Sequence, residues 1–445
     1  MAIKKKYILI TVICICIALL VIPIIYVIIM AGGDGPPVDD SNLIVTLPLA
    51  PSNNNNAVTY LNKAAKVLEP DNAVIFSMIS SLKSSDHYHE QADWFFKKHA
   101  STFDLINRGL KCDNLYLKPS SHDPFRPDFH DRSQLDRSLD IITRSQEARA
   151  YYFFYRLKKP QIAIAIAMDH IWVSHMCDCY SRDPFIGLFQ RINKEEGWDI
   201  FHSILLNSRF SLEDSRGIIR RLEAMKISPE ILGHMVKLLY TSRRHEIDLY
   251  KKHFSIYPIH TRTIRKYQFK LNSTMRELYE IHSYAVDNAG KPYTEISAKI
   301  TPKRSRRTFS RLLWKFHLVP NSYGKSLIMH SKYRLNDLFK EKLQHNVEVI
   351  AAQLIVAIRC FKLENGYLPM TLQQLVPRYL DEVPLDPFDG KPFRYLRDKK
   401  VLYSVGENLK DSGGPSNHEV KILHASIYNH NEIYRFSDYP AYLIE

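Results

Sequence analysis

The sequence predicts a mainly α protein: an N-terminal transmembrane helix, a helical-array ectodomain and a small α+β C-terminal module of helix plus β-hairpin. Three observations predict it. Tyr7 to Met30 is a run of 24 residues without a charge. From residue 57 onward, apolar residues recur at spacings of three and four behind helix-start signals. Between Asn346 and Gly414 the pattern changes from helical to alternating and turn residues gather. The expected divisions are 1–30, a cytoplasmic stub and anchor; 31–56, a tether; 57–255, a helical domain; 256–332, an irregular basic excursion; and 333–445, a long helix leading into the module and tail.

The anchor comes first. At about 1.5 Å per residue, 24 helical residues exceed the roughly 30 Å hydrocarbon core, so one helix spans it with some tilt. Lys4, Lys5 and Lys6 before the run and Asp34, Asp39 and Asp40 after it predict a cytoplasmic amino terminus and an extracytoplasmic bulk. The competing reading is a cleaved signal peptide, but the run is longer than a usual apolar core of roughly 7–15 residues and Met30-Ala31-Gly32-Gly33 is a loose cleavage site. Pro23 introduces a kink, and Cys14 and Cys16 serve there as small apolar residues. Ala31 to Asn56 is rich in Gly, Pro, Asp, Ser and Asn, the composition of a tether. About 390 residues follow, more than one ordinary core holds, so two or three subregions are expected.

Helices then dominate. Leu135, Leu139 and Ile142 open one that runs to Arg156; Lys158-Lys159-Pro160 breaks it, and Ile162 to Tyr180 forms the next. Ser211 with Asp214 is a capping-box pair ahead of Ile218, Ile219 and Leu222. Ser228-Pro229-Glu230 supplies a cap, a first-turn proline and a first-turn acid before Ile231, Leu232, Met235, Leu238 and Leu239. Paired helices with short breaks suggest a right-handed stack like a helical-repeat protein, without a countable period. Ser255 to Ser331, with Pro258, Pro292, Pro302 and Pro320, holds only fragments of periodicity.

Tyr333 to Phe361 reads as one long helix whose inner stripe includes Val347, Ile350, Leu354 and Ile358. Gly366 and Pro369 end it. Thr371 and Gln374, at capping-box spacing, open a short helix with Leu372, Leu375 and Val376 inward, stopped by Pro377. Phe393-Arg394-Tyr395 and Val401-Leu402-Tyr403 then flank Arg397 to Lys400 as a hairpin. Glu419 to Glu445 adds a strand or covers the hairpin edge.

The net charge is +14, or +11 without Lys4, Lys5 and Lys6. A basic exterior favours anionic partners such as lipid headgroups or acidic wall polymers; no nucleic-acid motif is present, and none is expected as a partner. The run Lys303-Arg304-Ser305-Arg306-Arg307 reads first as a solvated surface. Cys112, Cys177, Cys179 and Cys360 face the outer compartment. Cys177 and Cys179 point apart on a helix, and with His175 they lack the second pair a zinc site requires. His122-Asp123 and His130-Asp131 are the most tempting catalytic grouping, since imidazoles and carboxylates together hold a metal that activates water; loop solvation and capping before Ser133 explain the same residues. A membrane-tethered metal-dependent hydrolase is therefore the alternative function. No Ser-His-Asp spacing, phosphate loop, dinucleotide fingerprint or metalloprotease helix motif appears, and no catalytic, cofactor or metal residue is assigned.

The order Asn365-Gly366-Tyr367-x-Pro369, a Leu-rich turn, Pro384-x-Asp386-Pro387-Phe388, a Phe-x-Tyr strand and Tyr403-Ser404-x-Gly406 resembles the globular part of the major pseudopilins of type II secretion systems, over residues 346–414. The chain is not itself such a subunit, because its membrane segment lies some three hundred residues away and contains no acid. With Asn56-Ala57, Ala64-Ala65, Leu157 to Ala163 and Asp411-x-Gly413-Gly414, the layout resembles uncharacterised bacterial envelope proteins that join an anchor, a helical middle and a pseudopilin-like tail. The resemblance implies a single-pass envelope protein acting as a scaffold or accessory component, with the bilayer and other envelope proteins as partners. It also implies calcium in the 404–414 loop, where Asn408 stands at a position commonly acidic in the family and only Glu407 and Asp411 are carboxylates.

Overall fold

The structure, a computed structural model, describes residues 17, 19, 21–25, 28, 33–45, 52–84, 89–112, 115–117, 129–180, 187–255, 269–302, 321–416 and 441–444. Among these the chain is mainly helical, with twelve α-helices and one small three-stranded sheet. They group into two compact units. The first takes Met1–Thr46, Leu232–Gly290 and Glu295–Phe339; the second takes Leu47–Ile231, Lys291–Thr294 and Lys340–Glu445. The expected divisions at 255 and 332 stand on a different basis from these units. They followed changes of sequence texture, whereas compactness follows pairing between segments far apart in the chain.

In the second unit, α1 (Ala57–Leu68) starts where the Asn56 side chain accepts from the Val58 backbone N–H at 3.2 Å. Leu61, Ala64, Ala65 and Leu68 form its buried stripe. After α2 (Asn72–Ser84) and α3 (His89–Lys98), α4 (Ala100–Gly109) crosses α1 at Gly109, where an added Cβ would lie 3.1 Å from Leu61 and 3.2 Å from Tyr60. The long α5 (Phe129–Tyr151) packs on α1 and α2, buries Leu135, Leu139 and Ile142, and continues as a wide turn over Tyr152–Arg156. Lys158 takes φ +54°, and Pro160 opens α6 (Pro160–Tyr180), which packs on α5 and α7 (Gly187–Leu206). The predicted box is present at α8 (Leu212–Glu223): Asp214 N–H donates to Ser211 Oγ at 3.0 Å and Ser211 N–H to Asp214 Oδ2 at 3.4 Å. Pro229 begins α9 (Pro229–Ser255), which belongs to the first unit from Leu232 onward, with Ser228 Oγ accepting from Ile231 N–H at 3.3 Å.

The first unit corrects two expectations. Much of 256–332 is regular: α10 (Leu271–Asp287), α11 (Tyr293–Ile300) and the start of α12 (Ser322–Asn365), which begins eleven residues before the expected Tyr333. Of its prolines, the two among the described residues flank a helix instead of interrupting one, Pro292 just before α11 and Pro302 just after it, where a missing N–H costs least. Met275, Leu278, Ile281, His282 and Ala285 are the buried stripe of α10. The second correction concerns the tether. Residues 33–45 are fastened to this unit, with Leu43 and Asp40 buried, because Asp34 and Asp40 serve donors two hundred or more residues away. Met1 to Lys6 and most of Tyr7 to Met30 lie outside the described residues. Among the described residues no helix is long and apolar enough to cross a membrane.

The later part of α12 returns to the second unit. Val347, Ile350, Ala351, Leu354 and Ile358 are buried, and Gly366, at φ +82°, closes the helix with its N–H on the Lys362 carbonyl. Leu372–Leu375 is a short 3-10 turn, and the capping box expected at Thr371 is not formed: Gln374 Oε1 instead accepts from Met370 N–H at 2.6 Å. The hairpin is present, its first strand one residue later than expected as β1 (Arg394–Leu396), antiparallel to β2 at the expected Val401–Tyr403. The tail contributes β3 (Ala441–Leu443), antiparallel to β2 and opposite β1.

Candidate functional site

The loops beside β1 and β2 carry the densest polar grouping. Asp386 is fully buried and accepts from Phe388 N–H (3.0 Å), Ser404 Oγ (2.9 Å), Val405 N–H (2.9 Å) and Arg394 Nη1 (3.0 Å). Arg394 also donates through Nη1 and Nη2 to Asp389 and through Nε to Asp411 Oδ2 at 3.3 Å. Asp411 accepts further from Tyr403 OH (2.9 Å) and Gly413 N–H (3.0 Å). Burial pushes the Asp386 carboxyl up. Burial acts the same way on Asp389, but hydrogen bonds from Arg394 and the Lys391 N–H prevail and hold it low. Hydrogen bonding to Asp389 raises Arg394 further above the ordinary guanidinium range.

This grouping accounts for the two acids considered for calcium. Asp411 faces the Arg394 guanidinium, and Glu407 pairs with Lys340 Nζ at 2.7 Å. Cations of the chain itself therefore stand on both. Asn408 Oδ1 accepts from Lys410 N–H at 2.8 Å in a local turn. The Pro384-x-Asp386-Pro387-Phe388 and Tyr403-Ser404-x-Gly406 segments are thus joined to each other through Asp386. Lys291–Thr294 lies along the same turn, with Tyr293 N–H on Pro387 O (3.1 Å) and Thr294 N–H on Phe388 O (3.0 Å). At Gly390 (φ +72°) an added Cβ would sit 2.6 Å from Pro292.

A second feature was not signalled by any motif. Rings of Trp172, His175, His345, Trp198, His202 and Tyr442 follow one another through the core of the second unit, with successive centroids 4.9, 5.5, 6.4, 6.0 and 5.9 Å apart. The His345 Nε2–H donates to Met225 O at 2.8 Å. Burial depresses His202 to about 4, so its imidazole is neutral in the fold. Residues from α6, α7, α12 and β3 meet here, so the column holds together elements distant in sequence. Among the described residues no group of three or more His, Cys, Asp or Glu is arranged to hold a metal.

The other sequence candidates fall partly outside the described residues. His122 and Asp123 lie outside the described residues, while His130 and Asp131 fall in the first turn of α5, which starts four residues ahead of the expected Ser133. Cys112 and Cys360 are buried and in no disulfide, with Cys112 Sγ on the Arg108 carbonyl at 3.5 Å. Cys177 and Cys179 are on α6, and Lys303 to Arg307 lies outside the described residues. The open features are apolar. Leu363, Tyr367 and Met370, at the end of α12 and just beyond it, are 51%, 51% and 61% exposed. No protein family, curated protein or solved structure matches this chain.

Proposed function

We propose that this chain is a single-pass, membrane-anchored envelope protein that works as a scaffold or accessory protein-interaction component of a secretion or surface assembly. One observation carries the reading: the carboxylates of the 386–411 grouping are taken by the chain's own donors, while aliphatic side chains are left open. Ile17, Leu19, Val21, Ile22, Ile24, Ile25 and Ile28 are each more than two-fifths exposed. Seven such residues within a charge-free run, behind three lysines, fit a hydrocarbon environment. The second open surface, Leu363, Tyr367 and Met370, fits a protein partner on the outer side.

The test is copurification from native membranes. Deleting Asn346 to Gly414 is unsuitable, because Val347, Leu354 and Ile358 are core residues and Arg359 binds the Leu206 and Ser208 carbonyls. The intact chain is compared instead with Tyr367→Asp/Met370→Asp. We expect alkaline-resistant membrane retention of both and a defined set of bound proteins lost from the variant. If nothing specific accompanies the intact chain, the scaffold reading is abandoned.

A further inference from the structure

Residues 33–45 cross α9 and α10 of the first unit as a strap with no helix or strand of their own beyond the single turn Ser41–Leu43. The two helices meet where the Tyr240 and His282 ring centroids are 5.3 Å apart. The outer half of the strap is read through its main chain. Lys270 Nζ donates to Gly33 O (2.5 Å), Asn272 Nδ2 to Gly35 O (2.7 Å) and Arg276 Nη2 to Pro36 O (2.8 Å). The two oxygens of Asp34 accept from the backbone N–H groups of Asn272 and Ser273, each at 3.0 Å, and so cap α10, whose own N-cap residue, Lys270, makes no side-chain cap. Gly33, Gly35, Pro36 and Pro37 are exposed, so this half lies on the surface.

The inner half is held by two anchors. Asp40, 4% exposed, accepts from Tyr240 OH (2.6 Å) and Arg244 Nη1 (2.5 Å). Leu43 is 1% exposed, and its carbonyl accepts from Thr241 Oγ1 (3.2 Å), which in turn accepts from Val45 N–H (3.1 Å). Asp40 and Leu43 are the buried residues of the strap. Apart from the Val45 N–H, the helices donate and the strap accepts.

This division of labour is that of a bound extended peptide: main-chain bonds supply affinity and a few seated side chains select the sequence. We infer that the face shared by α9 and α10 is a peptide-recognition site, filled here by residues 33–45 and open in exchange to an extended acidic segment of a partner protein with the pattern Asp-x5-Asp-x2-Leu of the strap. Charge favours an acidic newcomer. Among the described residues, Lys270 Nζ and the Arg276 guanidinium meet neutral carbonyl oxygens of the strap and no carboxylate. At Gly33, beside Lys270, an added Cβ would meet nothing within 4 Å. A segment with an acid at that place therefore gains an ion pair that the strap lacks. The site is separate from Leu363, Tyr367 and Met370 and does not depend on the anchor.

The experiment uses the full chain in detergent and a synthetic peptide, Gly33–Val45, carrying a fluorophore and read by anisotropy. In the parent chain the strap competes from an effective concentration on the order of millimolar, so the peptide binds weakly. Asp40→Ala/Leu43→Ala removes both anchors and should bind the peptide about tenfold tighter than the parent, or better. A Gly33→Glu peptide should bind tighter again, by about twofold, and lose that gain in high salt. A peptide with Asp34→Ala and Asp40→Ala should not bind. A double variant that folds only when the peptide is added supports the site equally, because the peptide then fills it from outside. A folded double variant that binds the peptide no better than the parent, or one that stays unfolded with it, would make the strap an integral part of the core and overturn the site. A parent chain that sediments as a dimer which the peptide dissociates would give the site to a second copy and overturn the choice of partner.

Discussion

Arg394 joins two loops that lie on opposite sides of it in the sequence: Asp386 and Asp389 ahead, Asp411 behind. The turn residues around it are readable locally, but the return of three carboxylates to one guanidinium depends on the folded path and left no mark in the sequence. Its removal leaves Asp386 buried with only neutral donors. Arg394→Ala should therefore cost about 3–5 kcal/mol, and Arg394→Lys should restore less than half, because an ammonium cannot span three carboxylates as a planar fork does. Equilibrium urea unfolding measures both; a loss below about 1 kcal/mol for the alanine variant would show the cluster to be dispensable. Buried histidines set a second residue-level expectation. His202 and His282 are both depressed to about 4 by burial. Below pH 6.5 the unfolded chain gains a proton at each while the folded chain does not, so stability is complete above that pH and falls as pH drops toward 4. Each should cost about 2 kcal/mol by pH 5. In urea titrations at pH 7.5 and pH 5, His202→Gln should lose stability less steeply than the parent; equal pH slopes would remove His202 from the account.

Helix starts divide into those written next to the helix and those supplied from afar. The Ser211–Asp214 box and the Ser228-Pro229 start are readable because every participant lies within a few residues. The start of α10 was not, because its cap is Asp34, more than two hundred residues earlier, in a stretch whose Gly, Pro and Asp content imitates a linker. The early start of α12 was obscured for a related reason. Its first turns, around Tyr323, Lys325 and Met329, show only a partial apolar stripe, yet Asn321 binds both Lys270 and Thr274 of the facing segment and fixes where the helix begins. Thr371–Gln374 is the reverse case, a correct spacing without the cap, since Gln374 satisfies Met370 instead. Of the candidate site, the aspartate turn and the hairpin were legible from turn chemistry and period. The histidine and tryptophan column was not, because single aromatic residues on separate helices carry no spacing signal.

At the scale of the molecule, each unit is assembled from segments that the chain order separates, and the second is completed only by its last residues. Ala441 to Ile444 are all at most 4% exposed. Val401 pairs with Leu443 and Tyr403 with Ala441; Ile444 N–H reaches Lys400 O at 3.0 Å, and its carbonyl accepts from Arg359 Nη1 at 3.3 Å. Tyr442 stacks toward His202 of α7 with centroids 5.9 Å apart. The last strand thus touches both the sheet and the helical region that begins almost four hundred residues earlier. Losing it would uncover the β2 edge and forfeit the burial of Tyr442, Leu443 and Ile444, each about 1.5–3 kcal/mol, a total comparable with the 5–15 kcal/mol of an ordinary domain. A chain ending at Pro440 should therefore expose Leu47–Ile231 to protease, with cleavage sites throughout those helices and not only at the truncated end. Limited proteolysis with fragment mapping decides it. Full protection of Leu47–Ile231 in the truncated chain would mean that the helices form a self-sufficient core and that the sheet is an appendage.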